Sequence, residues 1–234
     1  ANLRIKMLTI TSRLPSANLK ISKALPQLIQ GYIYRYLPSA EHDGYRHEPS
    51  GKIFKRTNFD FRLNGANLRI RFTSYEPEFE KIIALAVLKD GLSLGEICLC
   101  DTTVAVSEHR TAQSEAVLQG CVACAIGGLL GHKIYLQPQD SRHLEMMKTN
   151  ALQRFETLTG RRYNGKFELN LLWQNLQNSF NFYYGNNRSP VQAWQAKWKI
   201  CAQPELINLI LDAGVGSGCM NCGAGFVEVV EEKE

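Results

Sequence analysis

Long apolar runs are missing from this 234-residue sequence. The longest, Ile82–Leu88 and Val122–Leu130, fall well short of the ~20 residues that cross a bilayer as a helix, so no membrane partner is expected. The first residues, Arg4, Ile5 and Lys6 among them, alternate charge with hydrophobe instead of forming the apolar centre of a secretion signal. Low-complexity linkers are absent, and an apolar content of 44% excludes a disordered or collagen-like chain. Cysteine is scarce and odd in number, seven. At this size no disulfide framework follows, and the expected compartment is the reducing cytoplasm.

The charge that is present is unevenly spread. Residues 1–75 hold 13 Lys/Arg and four Asp/Glu, residues 76–110 three and seven, and residues 111–234 eleven of each. A basic first third points to a polyanionic partner, because summed charge steers association more than it shapes folds. The plainer alternative is that these residues only solvate strand faces.

Strand-like and helical patterns then alternate. Leu3–Thr11 reads as a strand, and Lys23–Leu37 as a helix with Pro26 in its first turn, where a missing N–H is harmless. Phe59–Leu63 and Leu68–Phe72 alternate around Asn64-Gly65, a hairpin with one basic face. Pro77–Asp90 is expected to be helical and Gly95–Val106 extended. The same order recurs through Ala116–Ile126 (strand), Ser141–Leu158 (helix), Lys166–Leu172 and Ala193–Ile200 (strands), Pro204–Asp212 (helix) and Gly223–Val230 (strand). Each half is thus strand–helix–strand–strand–helix–strand. The expected fold class is α+β, with tandem ferredoxin-like (RRM-like, βαββαβ) domains at 1–110 and 111–234. Helices on one face of such a sheet leave the other for a ligand, as in RNA-recognition modules.

Gly214-Val-Gly-Ser-Gly-Cys-Met-Asn-Cys-Gly-Ala-Gly225 is the most unusual stretch, with glycine at Gly214, Gly216, Gly218, Gly223 and Gly225. Such density implies positive φ or close approach by another chain. A dinucleotide fingerprint follows a strand and opens a helix; here a helix precedes and a strand follows, which disfavours a nucleotide-dependent enzyme. Phosphate contact through loop amides and a ligand-free glycine turn both remain as readings. The Gly–apolar–Gly, spacer, Gly–apolar–Gly pattern before a final strand resembles the glycine-rich loop of the CRISPR-associated repeat-RNA endoribonucleases, the Cas-six family, although that spacer is commonly shorter and carries a Lys. Ile29-Gln-Gly-Tyr-Ile-Tyr34 resembles the family's first-helix motif. Tyr45-Arg-His-Glu48 and Gly51-Lys-Ile-Phe54 resemble the segment that carries its histidine and lysine.

Placed on a helical wheel, Leu28, Ile29, Tyr32 and Tyr36 share the apolar stripe with Leu25, while Tyr34 points the opposite way. The segment Pro38–Lys52 reads as a loop holding His42, His47 and Lys52. By resemblance, Tyr34, His47 and Lys52 are the catalytic residues, and His42 is an exposed side chain. The resemblance implies metal-independent cleavage of precursor RNA by 2′-hydroxyl attack, leaving 2′,3′-cyclic phosphate and 5′-hydroxyl ends, with no cofactor and no bound metal. His47 would transfer a proton, Lys52 would offset charge on the phosphorane, and Tyr34 would donate a hydrogen bond or move a second proton. Which of Tyr34 and His47 is acid and which base stays open. So does the choice between monomer and homodimer.

Lys20, Arg46, Lys55, Arg56, Arg69, Arg71, Arg161, Arg162, Arg188, Lys197 and Lys199 are candidate RNA contacts. Other CRISPR effector subunits are the further class of partner. The alternative function is a repeat-RNA-binding subunit that does not cut. Cys121/Cys124 and Cys219/Cys222 have the Cys-x-x-Cys spacing of a zinc site. However, some 95 residues separate the pairs, and i, i+3 residues of a strand face opposite ways, so zinc is not expected. Buried thiols are the default for Cys98, Cys100 and Cys201.

Overall fold

The computed structural model describes residues 6–15, 19–182, 190–217 and 222–231. Period-two alternation builds its first sheet. β1 (Lys6–Arg13) buries Leu8 and Ile10, and β4 (Thr57–Asn64) and β5 (Asn67–Ser74) bury Phe59, Phe61, Leu68, Ile70 and Phe72. With β8 (Cys100–Glu108) they form an antiparallel sheet in the order β4-β5-β1-β8. Its inner face is covered by α1 (Leu19–Tyr36) and α3 (Glu78–Asp90), whose Leu25, Ile29, Phe79 and Ile83 join the same core. α1 begins four residues earlier than its pattern predicts, so Pro26 lies inside the helix, not in its first turn.

Between α1 and β4 the chain makes a detour of three short elements, α2 (Ser39–Asp43), β2 (Tyr45–Arg46) and β3 (Ile53–Phe54). β2 and β3 pair antiparallel, so Pro38–Lys52 is a helical turn and a small hairpin where a loop was expected. A second small hairpin, β6 (Ser93–Leu94) with β7 (Ile97–Cys98), precedes β8. Cys98 and Cys100 are exposed there, against the expected burial, whereas Cys201 is half-buried.

The second unit repeats the order. β9 (Glu115–Val122), α4 (Ser141–Thr159), β12 (Glu168–Phe182), β13 (Val191–Cys201), α5 (Pro204–Ala213) and β14 (Val227–Val230) give the sheet β12-β13-β9-β14. Its detour is β10 (Ala125–Gly127) with β11 (Lys133–Tyr135). Trp198, Ala196 and Ile200 face α4 and α5 in a second core with Leu118, Met147, Phe155 and Leu206. α4 starts at Asp140, whose carboxylate accepts from the Arg142 amide at 2.9 Å, and ends at Gly160 with φ +69°. Both sheets have the ferredoxin-like order, second–third–first–fourth strand, so the fold is tandem ferredoxin-like.

The outer face of the first sheet is not wholly free. The C-terminal end of α5 docks on it: the Thr73 hydroxyl donates to the Asp212 carbonyl at 3.0 Å, and Arg110 pairs with the buried Asp212 carboxylate. His109 stacks on Phe226, ring centroids 5.3 Å apart. Arg71 is the sharpest correction. It is 8% exposed, forks onto Asp60 and reaches Glu228 on β14 at 2.7 Å. Its donors join the two sheets and are not offered to an RNA phosphate.

Candidate active site

The detour after α1 is held by one buried carboxylate. Glu41 takes Arg56 Nε at 3.1 Å and a second guanidinium nitrogen, and the Tyr45 hydroxyl donates to it at 2.6 Å. Burial and that carboxylate push the Tyr45 phenol up to about 12. Arg56 also bonds Glu76 at 3.1 Å, and Lys55 donates to the carbonyls of Glu41 (3.0 Å) and His42. Arg56 and Lys55 thus fasten the detour to the scaffold, a use that their reading as phosphate contacts did not foresee.

On this scaffold Tyr34 stands beside the foot of the detour, and His47 and Lys52 lie together on its hairpin. Tyr34 is half-buried near the end of α1; its hydroxyl lies 3.1 Å from Thr57 Oγ1, and the Lys55 ammonium stands 5.3 Å from its ring centroid. The tip of the β2–β3 turn carries His47 and Lys52, locked by the His47 amide on the Lys52 carbonyl at 2.8 Å. His47 is only 6% exposed. Its Nδ1 sits 2.7 Å from Ser50 Oγ, and its ring meets Phe54 edge-on at 6.3 Å. His42 is exposed, as expected, with its ring edge-on to Tyr34.

His47 and Lys52 meet the same helix of the second unit. On α4, Gln153 accepts from Lys52 Nζ at 3.0 Å, and Glu156 places Oε2 3.4 Å from His47 Nε2. Arg154, between them, is 2% exposed, donates to the Gly214 carbonyl at 2.8 Å and lies 5.3 Å from the Phe54 ring centroid. Burial pulls its guanidinium down to about 9, and Tyr34 acts in the opposite sense. These α4 residues were missed in the sequence. The available signal was a charged residue within the buried stripe Met147, Ala151, Phe155.

Beside Lys52 a groove of about 390 Å³ opens along α4, lined by Ser141, Arg142, Glu145, Met146 and Thr149, with Ile126 and Ser217 opposite. Ser217 belongs to the glycine-rich loop. Gly214 has φ +81°, and a side chain there would meet Asn58 at 2.5 Å; Gly216 has φ +114°, and one there would meet the Ala123 carbonyl at 2.7 Å. Both positions therefore need glycine. The Val215 amide donates to Gly225 and the Ser217 amide to Ala123, so neither is available to a phosphate. Gly223 also has positive φ; Gly218 and Cys219 lie outside the described residues.

Among the other candidate contacts, Arg46 is exposed and Arg69 half-buried. Arg161 pairs with Glu205, Arg162 with Glu156 at 3.2 Å, and Lys199 with Glu115 at 3.3 Å; Lys197 is half-buried. The side chain of Lys20 and all of Arg188 lie outside the described residues. Burial pushes the Cys121 and Cys124 thiols up to about 11 and about 12, away from the thiolate form a metal would need. Among the described residues no helix is long and apolar enough to cross a membrane.

Residues 130–229 match the family model described as CRISPR associated protein Cas6, C-terminal. This part of the chain is similar to the C-terminal segment of Cas6 proteins. Solved structures with the same fold include a Cas6-related protein from Pyrococcus furiosus, 13% identical with TM-score 0.75, covering 97% of this chain and 99% of that one. A protein described as a RAMP protein binding different RNA substrates is 14% identical with TM-score 0.71, covering 97% and 100%. A Cas6 product complex is 14% identical with TM-score 0.65, covering 96% and 98%. At these identities the likeness carries the fold. No curated protein matches the sequence.

Proposed function

We propose that this protein binds the repeat RNA of CRISPR precursor transcripts and cleaves it without a metal ion into mature guide RNAs. Residues 1–110 form the domain that carries the reacting groups, and residues 111–234 the domain that supports them. The observation that carries the reading is the meeting of His47 and Lys52 on one face of α4, next to the glycine-rich loop of a segment that matches the Cas6 C-terminal model.

The chemistry suits those residue types. The 2′-oxygen attacks phosphorus and loses its proton, the bond from phosphorus to the 5′-oxygen breaks, and the departing oxygen takes a proton. His47 is the side chain here best suited to proton transfer near neutral pH. Lys52, at the mouth of the groove, offsets the charge that grows on phosphorus. Tyr34, held by Thr57, donates a hydrogen bond to a non-bridging oxygen. Exposed Arg46, Arg161 and Lys199 meet the backbone of the strand.

A second reading, RNA binding without cleavage, is favoured by the engagement of both His47 ring nitrogens within the protein. One experiment separates the two: cleavage of repeat RNA in EDTA by wild type and His47→Ala. The nuclease reading expects wild type to cut and the variant to lose roughly 10²–10⁴-fold in rate while RNA affinity changes little. A wild type that binds and leaves the strand intact establishes the binding reading.

A further inference from the structure

His47 is held at both ring nitrogens, from opposite sides of the site. Ser50, in its own turn, lies 2.7 Å from Nδ1, and Glu156, on α4, lies 3.4 Å from Nε2. A hydroxyl donates or accepts, whereas an ionised carboxylate only accepts. Nε2 facing Glu156 therefore carries the hydrogen. Ser50 adapts, donating to Nδ1 when the ring is neutral and accepting from it when the ring is charged.

Glu156 is itself fixed in its ionised form. Arg162 Nε donates to its other oxygen at 3.2 Å, and Arg162 first, His47 second, hold its carboxyl below the ordinary range. The remaining charges around the turn cannot replace it. Arg46, Lys52 and Arg154 are cations and offer no acceptor, and Glu48 is an exposed side chain one residue beyond the histidine.

We propose that Glu156 is a positioning residue for His47: it keeps a hydrogen on Nε2 and aims it into the site, so that the charged ring gives its proton from Nε2. The proposal rests on the nuclease reading and assigns the acid that the sequence left open. In the charged ring, Nδ1 keeps its hydrogen toward Ser50 while the Nε2 hydrogen passes to the 5′-oxygen as its bond to phosphorus breaks, leaving a neutral imidazole, and the 2′-hydroxyl proton leaves to solvent. Two tethers orient the ring, and the contact to Glu156 is loose enough for an incoming oxygen to share that hydrogen.

The test compares wild type, Glu156→Gln and Glu156→Asp on a cleavable repeat RNA and on the same strand with sulfur in place of the 5′-bridging oxygen, a leaving group that departs without a proton. Glu156→Gln should bind the RNA within about threefold of wild type and cut the oxygen strand roughly 10–10²-fold more slowly. It should cut the sulfur strand at close to the wild-type rate. Glu156→Asp should recover part of the loss. Unchanged or faster cutting of the oxygen strand by Glu156→Gln overturns the proposal, and so does an equal loss on both strands, which is a merely structural effect. A wild type that binds both strands and cuts neither sinks the nuclease reading itself, before any variant is compared.

Discussion

The two halves of the molecule share one strand order and differ in where it is interrupted. In the first, the detour follows the first helix and carries Glu41, His47 and Lys52; in the second, it follows the first strand and carries β10 and β11. Each detour is anchored by a buried polar group. In the first, Glu41 gathers Arg56 and Tyr45. In the second, His143 at the start of α4 is fully buried, bonds the Leu136 carbonyl at 3.0 Å through Nδ1 and stacks on Trp198. One topology thus serves twice, and two of the three candidate catalytic residues, His47 and Lys52, sit in the first insertion. The repeated part supplies stiffness, including the helix against which the insertion is set.

The two histidines break that comparison most sharply. His47→Ala is expected to remove cleavage and leave the melting temperature within a few degrees. His143→Ala should do the reverse, lowering stability by about 2 kcal/mol through a cavity and an unpaired carbonyl, with cleavage per folded molecule within about threefold. Melting curves and single-turnover rates on both variants decide it. Equal losses of rate would mean that the two detours are not functionally distinct.

The bond between the halves can be probed next. Arg71 is shared by Asp60 of the first sheet and Glu228 of the second. Asp60→Asn leaves a nearly buried guanidinium with half its counter-charge, at an expected cost of about 2 kcal/mol; complete burial would raise it to the upper range for broken ion pairs. Urea unfolding should show a lower midpoint. A split into two transitions would show that the halves are coupled mainly through this clamp.

How much of this was written in the chain? The strand order was, because Leu8/Ile10, Phe59/Phe61 and Trp198/Ile200 alternate in period two and glycine stops α4. His47 and Lys52, close in sequence, were candidates from the sequence, and the structure brings them together through one backbone bond. Unforeseen were the contacts across the two halves. Nothing local reveals that Gln153 and Glu156 lie beside Lys52 and His47, since some 100 residues separate them. Nor does a basic hairpin face announce that Arg71 turns inward, because that follows from where β14 is placed. Charge patterns report composition, and only tertiary packing decides which cations stay free.

A smaller effect is expected from pH, again at the junction. Glu80, on α3, is nearly buried and accepts the Ser74 amide; burial raises its carboxyl to about 8, and Asp212 from α5 adds to the rise. The folded state therefore holds a proton that the unfolded chain releases at an ordinary carboxylate pH. Its stabilising contribution is present at low pH and is lost as pH rises toward 8. His109, pushed down to about 4 by burial, works the other way: the unfolded chain binds its proton first, so stability falls as pH drops from 6.5 toward 4. Between pH 7 and 8, where the unfolded-state histidine has largely lost its proton, the Glu80 proton dominates, so stability should decline by about 1 kcal/mol. Glu80→Gln should flatten that decline. A wild-type melting temperature that rises across the interval would contradict the assignment.

The smallest effects belong to the free cations, and here the halves should differ in kind. Arg46, exposed in the first detour, has no carboxylate partner among its described contacts, whereas Lys199 in the second sheet pairs with Glu115. An unpaired cation placed on a phosphate releases a counterion on binding, and a cation already paired gives up part of that gain. Arg46→Ala is therefore expected to weaken repeat-RNA binding several-fold and to reduce the slope of log K against log salt by about 0.7, the value for one single-strand phosphate contact. Lys199→Ala should change the slope by less. Equal reductions for both would show that the second sheet docks the strand as strongly as the first half does, and the basic first third would then lose its special place.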